Sequence, residues 1–350
     1  MMHHLPLVLS VVASLVTEVA SAPAPVVSGH GRRDSPVLAG YNADPNIAVF
    51  GDTYYIYPTD DGQNWEGKSF YVWTSPDLAT WTKSAEPILT LNGKEGPGNV
   101  PWSDGKAWAP TVVERDGKYY FYHSGTNPSQ GGRLTIGAAV ADSPAGPFTG
   151  QPEAMILNTE RLAATEAIDP MAFRDPRTGK YLLYWGNGRA LHAELNDDMV
   201  SINWDTLGGS STGASATGSD AELIDYLEAP FVFFRAGLYH MTWSINDTRS
   251  EDYRVGYATS ERSATGPWTS RGVVLRKDAA RGILGTGHQS VVNVPGTDDW
   301  YIAYHRFAIP GGDGSHRETT IDRLAFDPDT GLMQPVVPTL DSVSPQPIVS

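Results

Sequence analysis

Ala43-Asp44-Pro45, Trp108-Ala109-Pro110, Ile168-Asp169-Pro170, Leu227-Glu228-Ala229-Pro230 and Gly287-His288-Gln289 each open an apolar, strand-like run. With residues 44, 109, 169, 228 and 288 as anchors, the steps are 65, 60, 59 and 60 residues. A beat this regular, with strands inside every unit, points to radial repetition of one small sheet. Three of the five anchors are carboxylates, and a ring of blades brings residues about 60 apart in sequence to one central point.

Working outward from each anchor, the units repeat in detail. The anchor leads into Ile47 to Phe50, Thr111 to Val113, Met171 to Phe173, Phe231 to Phe234 and Ser290 to Val294. A Gly or Asp-Gly turn follows, then a Tyr-rich run such as Tyr54-Tyr55-Ile56-Tyr57 or Tyr119-Tyr120-Phe121-Tyr122, which is a hairpin signal. A third strand is predicted over Ser69 to Thr74, Thr135 to Ala141, Leu191 to Leu195, Val255 to Thr259 and Thr319 to Phe326. Short outer strands are expected at Trp81-Thr82 and Pro267-Trp268-Thr269. The predicted fold is all-β, a five-bladed β-propeller occupying residues 34–345 as one catalytic-sized domain. A β-sandwich also has many short strands, but it offers no reason for a 60-residue period. Gly208 to Asp220 has a linker's composition and sits inside the third repeat, so it reads as a surface loop.

The totals narrow the function. A net charge of −15 argues against nucleic acid, whose phosphates demand a basic face. The chain has no cysteine, which excludes thiol catalysis, thiolate metal sites and disulfides. Leu7 to Val16 is apolar but too short to span a bilayer, and Ala20-Ser21-Ala22 is a small-residue cleavage pattern. Residues 1–22 therefore read as a secretory signal peptide and the protein as secreted and extracellular, without a membrane anchor. Residues 23–33 read as a pro-segment cut after Arg32-Arg33, or as a disordered tail that is never cut. Asn246-Asp247-Thr248 is the one N-glycosylation acceptor pattern. A monomer is expected.

Asp44, Asp169 and Glu228 are read as standing at one phase of three blades, converging on one mouth of the channel. Crowded acids repel, so at least one should titrate high. Two carboxyls in different protonation states are what glycoside hydrolysis requires. A lone Asp-Pro is usually a turn; three carboxylates on one beat are not explained that way. Trp73, Trp102, Trp108 and Trp185 are candidates for stacking on a sugar ring, with Trp108 best placed beside an anchor. The nine His show no His-Glu-x-x-His or similar spacing, which argues against a metalloenzyme.

In order and spacing the five motifs, with Gly285-Thr286-Gly287-His288 in the last, resemble the signature of glycoside hydrolase family 43 over nearly the whole mature chain. The resemblance implies a five-bladed propeller and an inverting mechanism. It makes Asp44 the general base, Glu228 the general acid, and Asp169 the residue that raises the acid's pKa and orients it. Inversion implies Asp44 and Glu228 carboxyls roughly 6.5–9.5 Å apart rather than about 5 Å. Arg317-Glu318-Thr319 resembles an element of family β-xylosidases in which the Arg faces the innermost sugar. In the family the residue matching His288 often lies near a hydrated calcium or other cation, so the resemblance implies His288 as a substrate-side residue that touches such an ion through water.

The segments Tyr304-His305-Arg306-Phe307, His316 to Arg323 and Asn246 to Tyr253 look most like secreted exo-acting α-L-arabinofuranosidases. That likeness implies release of arabinose from arabinan or arabinoxylan side chains, with a plant cell-wall polysaccharide or oligosaccharide as partner. β-Xylosidase and endo-1,5-α-L-arabinanase are the neighbouring activities in the family. A non-catalytic, lectin-like propeller is the remaining alternative, and it would not need all three carboxylates.

Overall fold

Asp116-Gly117 and Ala236-Gly237 set the hand of the repeat. Both residues of each pair have positive φ (54° and 76°, 49° and 87°), the type I′ turn whose twist matches paired antiparallel strands. The first joins Trp108–Arg115 to Lys118–Asn127, and the second joins Glu228–Arg235 to Leu238–Ile245. The computed structural model describes Met1 and residues 35–91, 99–159, 161–209, 222–341 and 343–348. Apart from Met1, the signal-peptide and pro-segment readings lie outside the described residues.

Five antiparallel sheets follow one another in the order predicted, and the fold is a five-bladed β-propeller. Blade I is Asn42–Phe50, Thr53–Asp60, Trp73–Ser75 and Thr82–Lys83. Blade II adds Arg133–Ala141 and Thr149–Gly150 to its opening hairpin. Blade III is Met171–Arg174, Tyr181–Trp185, Leu191–Glu194 and Gly208–Gly209. Blade IV closes with Arg254–Ser260 and Thr269–Leu275. Blade V has three strands, Gly287–Asn293, Trp300–Phe307 and Arg317–Leu324. Two local readings change. Ser69 to Thr74 is not one strand: Ser69–Phe70 belongs to a separate small sheet with Leu89–Leu91 and Asn99–Val100. Gly208–Gly209, read as loop, is the outer strand of blade III; residues 210–221 lie outside the described residues.

Apolar side chains meet between successive blades. Phe70, Leu89 and Phe121 bridge blades I and II, and Ile47, Ile56, Val292 and Ile321 bridge I and V. The Tyr-rich strands have a specific cause. A buried phenol needs a partner for its hydroxyl, and in blades I to III one such Tyr finds it on the next blade. Tyr57 donates to Pro144 O, Tyr122 to Met199 O and Tyr184 to Ala264 O, at 2.7, 2.7 and 2.6 Å.

The anchors themselves share an unusual backbone. Asp44, Ala109, Asp169, Ala229 and His288 all have left-handed φ (50°, 43°, 60°, 57° and 50°). Four of the five lie in register breaks between the first two strands of their blades, where a bulge re-aims side chains. This corrects the phase assigned from sequence. The fourth anchor is Ala229, the pre-proline residue, and Glu228 stands one place earlier, level with Trp108.

Each anchor N–H is captured by a side chain of the preceding blade. Ala109 N–H donates to Thr59 Oγ1 (2.8 Å), Asp169 N–H to Ser124 Oγ (3.1 Å) and His288 N–H to Ser244 Oγ (2.9 Å). Asp44 N–H reaches His305 Nδ1 at 3.2 Å, closing the circle from blade V to blade I. The equivalent place in blade III is Gly186, which has no side chain, and a Cβ there would stand 2.2 Å from Arg189 O. The Ala229 N–H goes instead to Asp169 Oδ2 at 3.2 Å.

A second seam joins blades V and I: Ile47 N–H donates to Ser290 Oγ (2.9 Å), whose hydroxyl donates to Pro45 O. Beside the third strand of blade V runs the start of the described chain, with Val37 N–H on Thr319 O at 3.0 Å. Arg306, 1% exposed, donates to Glu318 Oε1, Ser35 Oγ and Thr339 O, and so holds together the start of the described domain and its closing segment. The tail continues to blade I, where Gln346 N–H meets Asp77 O at 2.7 Å, so residues past 345 are part of the domain. Among the described residues no helix is long and apolar enough to cross a membrane.

Ser290→Ala should leave the Ile47 N–H and the Pro45 carbonyl without their buried partners. The expected cost is about 2 kcal/mol, read as a melting midpoint lowered by about 3 °C in a domain of this size. A shift below about 1 °C by calorimetry would remove this seam from the account of ring closure.

Candidate active site

The anchors open into a cavity of about 290 Å³ at one mouth of the channel, lined by Asp44, Asp169, Glu228, His288, Arg317, Asn187, Thr248, Trp65 and Trp108 among others. Beneath it the channel narrows to a space of about 20 Å³ walled by Pro45, Pro110, Pro170, Pro230 and Gln289. Asp44, Asp169 and His288 turn their side chains to the mouth, while the residues after the anchors, four prolines and Gln289, line the throat. Asp44, Asp169, Glu228, His288, Arg317 and Trp108, all singled out from sequence, are brought together here.

Asp44 sits in a cationic, donor-rich corner and is 6% exposed. Thr59 Oγ1 donates to its Oδ2 at 2.7 Å; the Ala109 N–H, by donating to that hydroxyl, leaves its proton aimed at the carboxylate. Arg317 Nη1 donates to Oδ1 at 2.9 Å, and His288 Nδ1 lies 3.1 Å from the same oxygen. Burial alone would raise Asp44, but Arg317, with His288 beside it, outweighs it and holds the group well below the usual carboxylate range. His305 is fully buried and titrates at about 4 because of that burial and the nearby Arg317. A neutral ring has one N–H. His305 Nδ1 is 3.1 Å from Asp44 Oδ1 and 3.2 Å from Asp44 N. We assign Nδ1 as the acceptor of that backbone N–H, matching the capture made in the other blades, with Nε2–H turned to Thr248 Oγ1 at 3.4 Å.

Arg317 has a larger task than facing a sugar. Its Nε and Nη2 grip Asp61 at 2.8 and 3.3 Å, and its Nη1 holds Asp44 and Thr248. Four of the five guanidinium protons are thus engaged inside the protein, leaving one on Nη2 for a ligand. Burial works against its charge, but Asp44 and Asp61 together keep Arg317 protonated.

On the opposite side of the cavity the donors to the carboxyl are neutral. Glu228 accepts from Tyr253 Oη at Oε1 and from Asn187 Nδ2 at Oε2, both at 2.8 Å. Burial, with the charge of Asp44, pushes Glu228 up to about 7 against those two hydrogen bonds. Asp169 is 5% exposed, and burial followed by the charges of Glu228 and Asp44 carries it well above the carboxylate range. The two acids titrate as a pair and retain a proton near neutral pH. Ionised Asp44 faces protonated acid across one cavity, the split that acid–base hydrolysis needs.

The tryptophans separate sharply. Trp108 lines the cavity, with its Nε1 on Trp65 O at 2.8 Å. Trp65, which the sequence reading missed, forms the neighbouring wall edge-on to it, ring centres 6.4 Å apart. Trp73, Trp102 and Trp185 do not line it. Trp73 is 6% exposed in the core between blades I and V. Trp102 stacks on His123 at 5.6 Å over Gly137, where any Cβ would collide with the indole. Trp185 is fully buried, its Nε1 on Leu162 O. All three fill space between sheets, the commoner use of a large apolar ring.

Among the described residues no group of three or more His, Asp or Glu side chains is set to hold a metal ion directly. The throat beside His288 has room for about one water. His288 Nδ1 is turned to Asp44.

A five-bladed propeller with a split pair of carboxyls at its mouth is the equipment of a glycoside hydrolase. The sequence profile of Glycosyl hydrolases family 43 matches residues 33–331, and the chain belongs to that family. It is similar to the β-D-galactofuranosidase xynD of Aspergillus niger, 32% identical over 88% of this chain and 86% of that protein. A xylosidase/arabinosidase of Bacteroides ovatus is 27% identical over 84% and 94%. Among solved structures, a thermostable family-43 glycoside hydrolase superposes with a TM-score of 0.75 at 26% identity, covering 90% of this chain and 99% of that one.

Tyr253 pulls Glu228 down by donating to its ionised form, so Tyr253→Phe should raise that group's pKa. The alkaline limb of kcat/KM, expected near pH 7 for the wild type, should move up by about one unit. A limb that stays put, or moves down, would show that this hydrogen bond does not tune Glu228.

Proposed function

We propose that this chain is a secreted, inverting, exo-acting α-L-arabinofuranosidase that releases arabinose from arabinan or arabinoxylan side chains. The observation that carries the chemistry is the protonation split: Asp44 ionised against Arg317, and Glu228 held up to about 7 by burial, with neutral Tyr253 and Asn187 as its hydrogen-bond donors. In this reading a water stands against Asp44. It attacks the anomeric carbon from the face opposite the leaving group and gives its proton to Asp44, while Glu228 gives its own proton to the glycosidic oxygen. The sugar leaves with inverted configuration, and bulk water returns the protons. A carboxylate as well stabilised as Asp44 is a weak base, but water attacking an oxocarbenium-like centre is acidic enough to need little help. Asp44 supplies negative charge that favours a proton on Glu228, and the hold of Asp169 on Ala229 N–H fixes the residue next to that acid.

Exo action is supported by a blind end to the cavity. Trp65 Nε1 donates to Gly314 O at 2.9 Å, and Gly62 N–H to Ser315 O at 2.9 Å, linking loops of blades I and V. The Arg249 guanidinium, from the loop of blade IV, lies 5.8 Å from the Trp65 ring, and Gly314 packs against Arg249 so closely that a Cβ would stand 2.7 Å from its Cα. These three loops meet over the Asp44–Arg317 side, so a terminal sugar fits where a continuing chain does not. A cavity of about 290 Å³ is at the small end for ligand sites, which suits a sugar or two. A second reading, a β-D-galactofuranosidase, is favoured by the similarity to the Aspergillus niger enzyme. The two furanoses share their ring configuration and differ by one exocyclic carbon with its hydroxyl.

The test is a panel of 4-nitrophenyl α-L-arabinofuranoside, β-D-galactofuranoside and β-D-xylopyranoside. The arabinofuranoside should have the highest kcat/KM; a higher value for the galactofuranoside would move the assignment to that sugar, and turnover of none would end both. Glu228→Gln should lose roughly 10²–10⁴-fold on natural linkages. It should lose far less on a dinitrophenyl glycoside, whose leaving group needs no proton; equal losses would count against Glu228 as the acid.

A further inference from the structure

Glu166 faces the same cavity and has no part in the scheme above. It lies in the connection between blades II and III. Its Oε2 accepts from Leu134 N–H at 3.2 Å and from Asn158 Nδ2. Asn158 is in turn fixed by donating to Leu134 O at 3.2 Å and by accepting from Arg133 Nη1. One carboxylate oxygen is therefore anchored by two donors. The other, Oε1, has no protein partner among the described residues, and neither Lys nor Arg pairs with the group there.

The position of Glu166 relative to the chemistry is set by a single residue. Its backbone carbonyl accepts from Asn187 N–H at 3.3 Å, and the Asn187 side chain holds Glu228 Oε2 at 2.8 Å. Glu166 thus stands on the acid's side of the cavity, away from the blind end made by Trp65, Gly314 and Arg249. In a glycosidase the group next to the acid is the leaving sugar, whose oxygen the acid protonates. A carboxylate oxygen held rigid and left open there is an acceptor for hydroxyl donors, and a charged acceptor makes the stronger class of hydrogen bond.

We infer that Glu166 is a specificity-determining residue for the leaving group, with its Oε1 accepting from hydroxyls of the sugar that departs. This rests on Glu228 being the acid. It selects a glycosyl leaving group over an aryl one, because an aryl group offers that oxygen no donor.

Glu166→Gln tests this cleanly. The Gln carbonyl can take the place of Oε2 under the Leu134 and Asn158 donors, which turns its NH₂ into the cavity and replaces an acceptor with a donor. Two substrates are compared: the 4-nitrophenyl furanoside that the wild type prefers, and an unsubstituted oligosaccharide of the same sugar. The variant should lose about 10- to 100-fold in kcat/KM on the oligosaccharide and stay within about two-fold on the nitrophenyl substrate, with an unmoved pH profile and melting midpoint. Glu166→Ala should follow the same split. Equal losses on both substrates, or an alkaline limb that shifts on the nitrophenyl substrate, would mean that Glu166 acts through the loop or through Glu228, and the inference falls. If the wild type itself turns over neither substrate, the hydrolase reading fails first and this one with it; turnover of the nitrophenyl substrate alone would overturn this one only.

Discussion

Five backbone amides, each turned out of its own sheet by a left-handed residue, depend on the neighbouring blade for a partner. An unpaired buried N–H is expensive, and a left-handed non-glycine residue is strained in addition. Both costs are offset only when adjacent blades stand in register, so the same bonds that relieve the anchors also fix the angle between blades. The substitution at Gly186 shows how tightly the site is woven into this scheme. No hydroxyl is available there, and the Asp169 carboxylate takes over the capture of Ala229 N–H. Asp169 is therefore a structural strut and a member of the acid pair through one oxygen.

The cavity's electrostatics follow from where its one deeply buried cation is clamped. Arg317 is shared by Asp61 and Asp44 within blades V and I, and its field lowers the nearer acid of the site. Across the mouth, neutral donors from Tyr253 and Asn187 position Glu228 without charging it. Two carboxyls of similar intrinsic acidity are so driven apart by their partners. Asp61 matters here as a counter-charge: without it the guanidinium would be buried against a single anion and free to swing.

Much of this was legible in the sequence because the repeat carries its own punctuation. Proline after the anchor gave the beat, and alternating Tyr-rich runs gave the strands. The phase of Glu228 was misread because carboxylates were aligned with carboxylates; aligning the prolines would have put Ala229 on the beat and Glu228 beside Trp108. Trp73, Trp102 and Trp185 were indistinguishable from Trp108 by residue type, since an indole on a strand says nothing about which side of the sheet it faces. Asp61, Trp65, Asn187, Tyr253 and Glu166 lie at strand ends or in the loops between strands, off the period, and reach the site only through folding. His305 and Thr59 sit on second strands at the place level with the anchor, a position that the sequence alone did not mark.

Arg306 gives the ring a further property. Ser35 near one end of the described chain and Thr339 in its closing tail converge on one buried guanidinium, itself neutralised by Glu318. In an open array of repeats the terminal unit has one neighbour fewer and can peel away first. Here neither end is terminal in that sense, because lifting one segment uncovers the cation that secures the other. Loss of structure at either of these two segments is thereby made cooperative with loss of the whole, because neither can leave without stranding a buried charge.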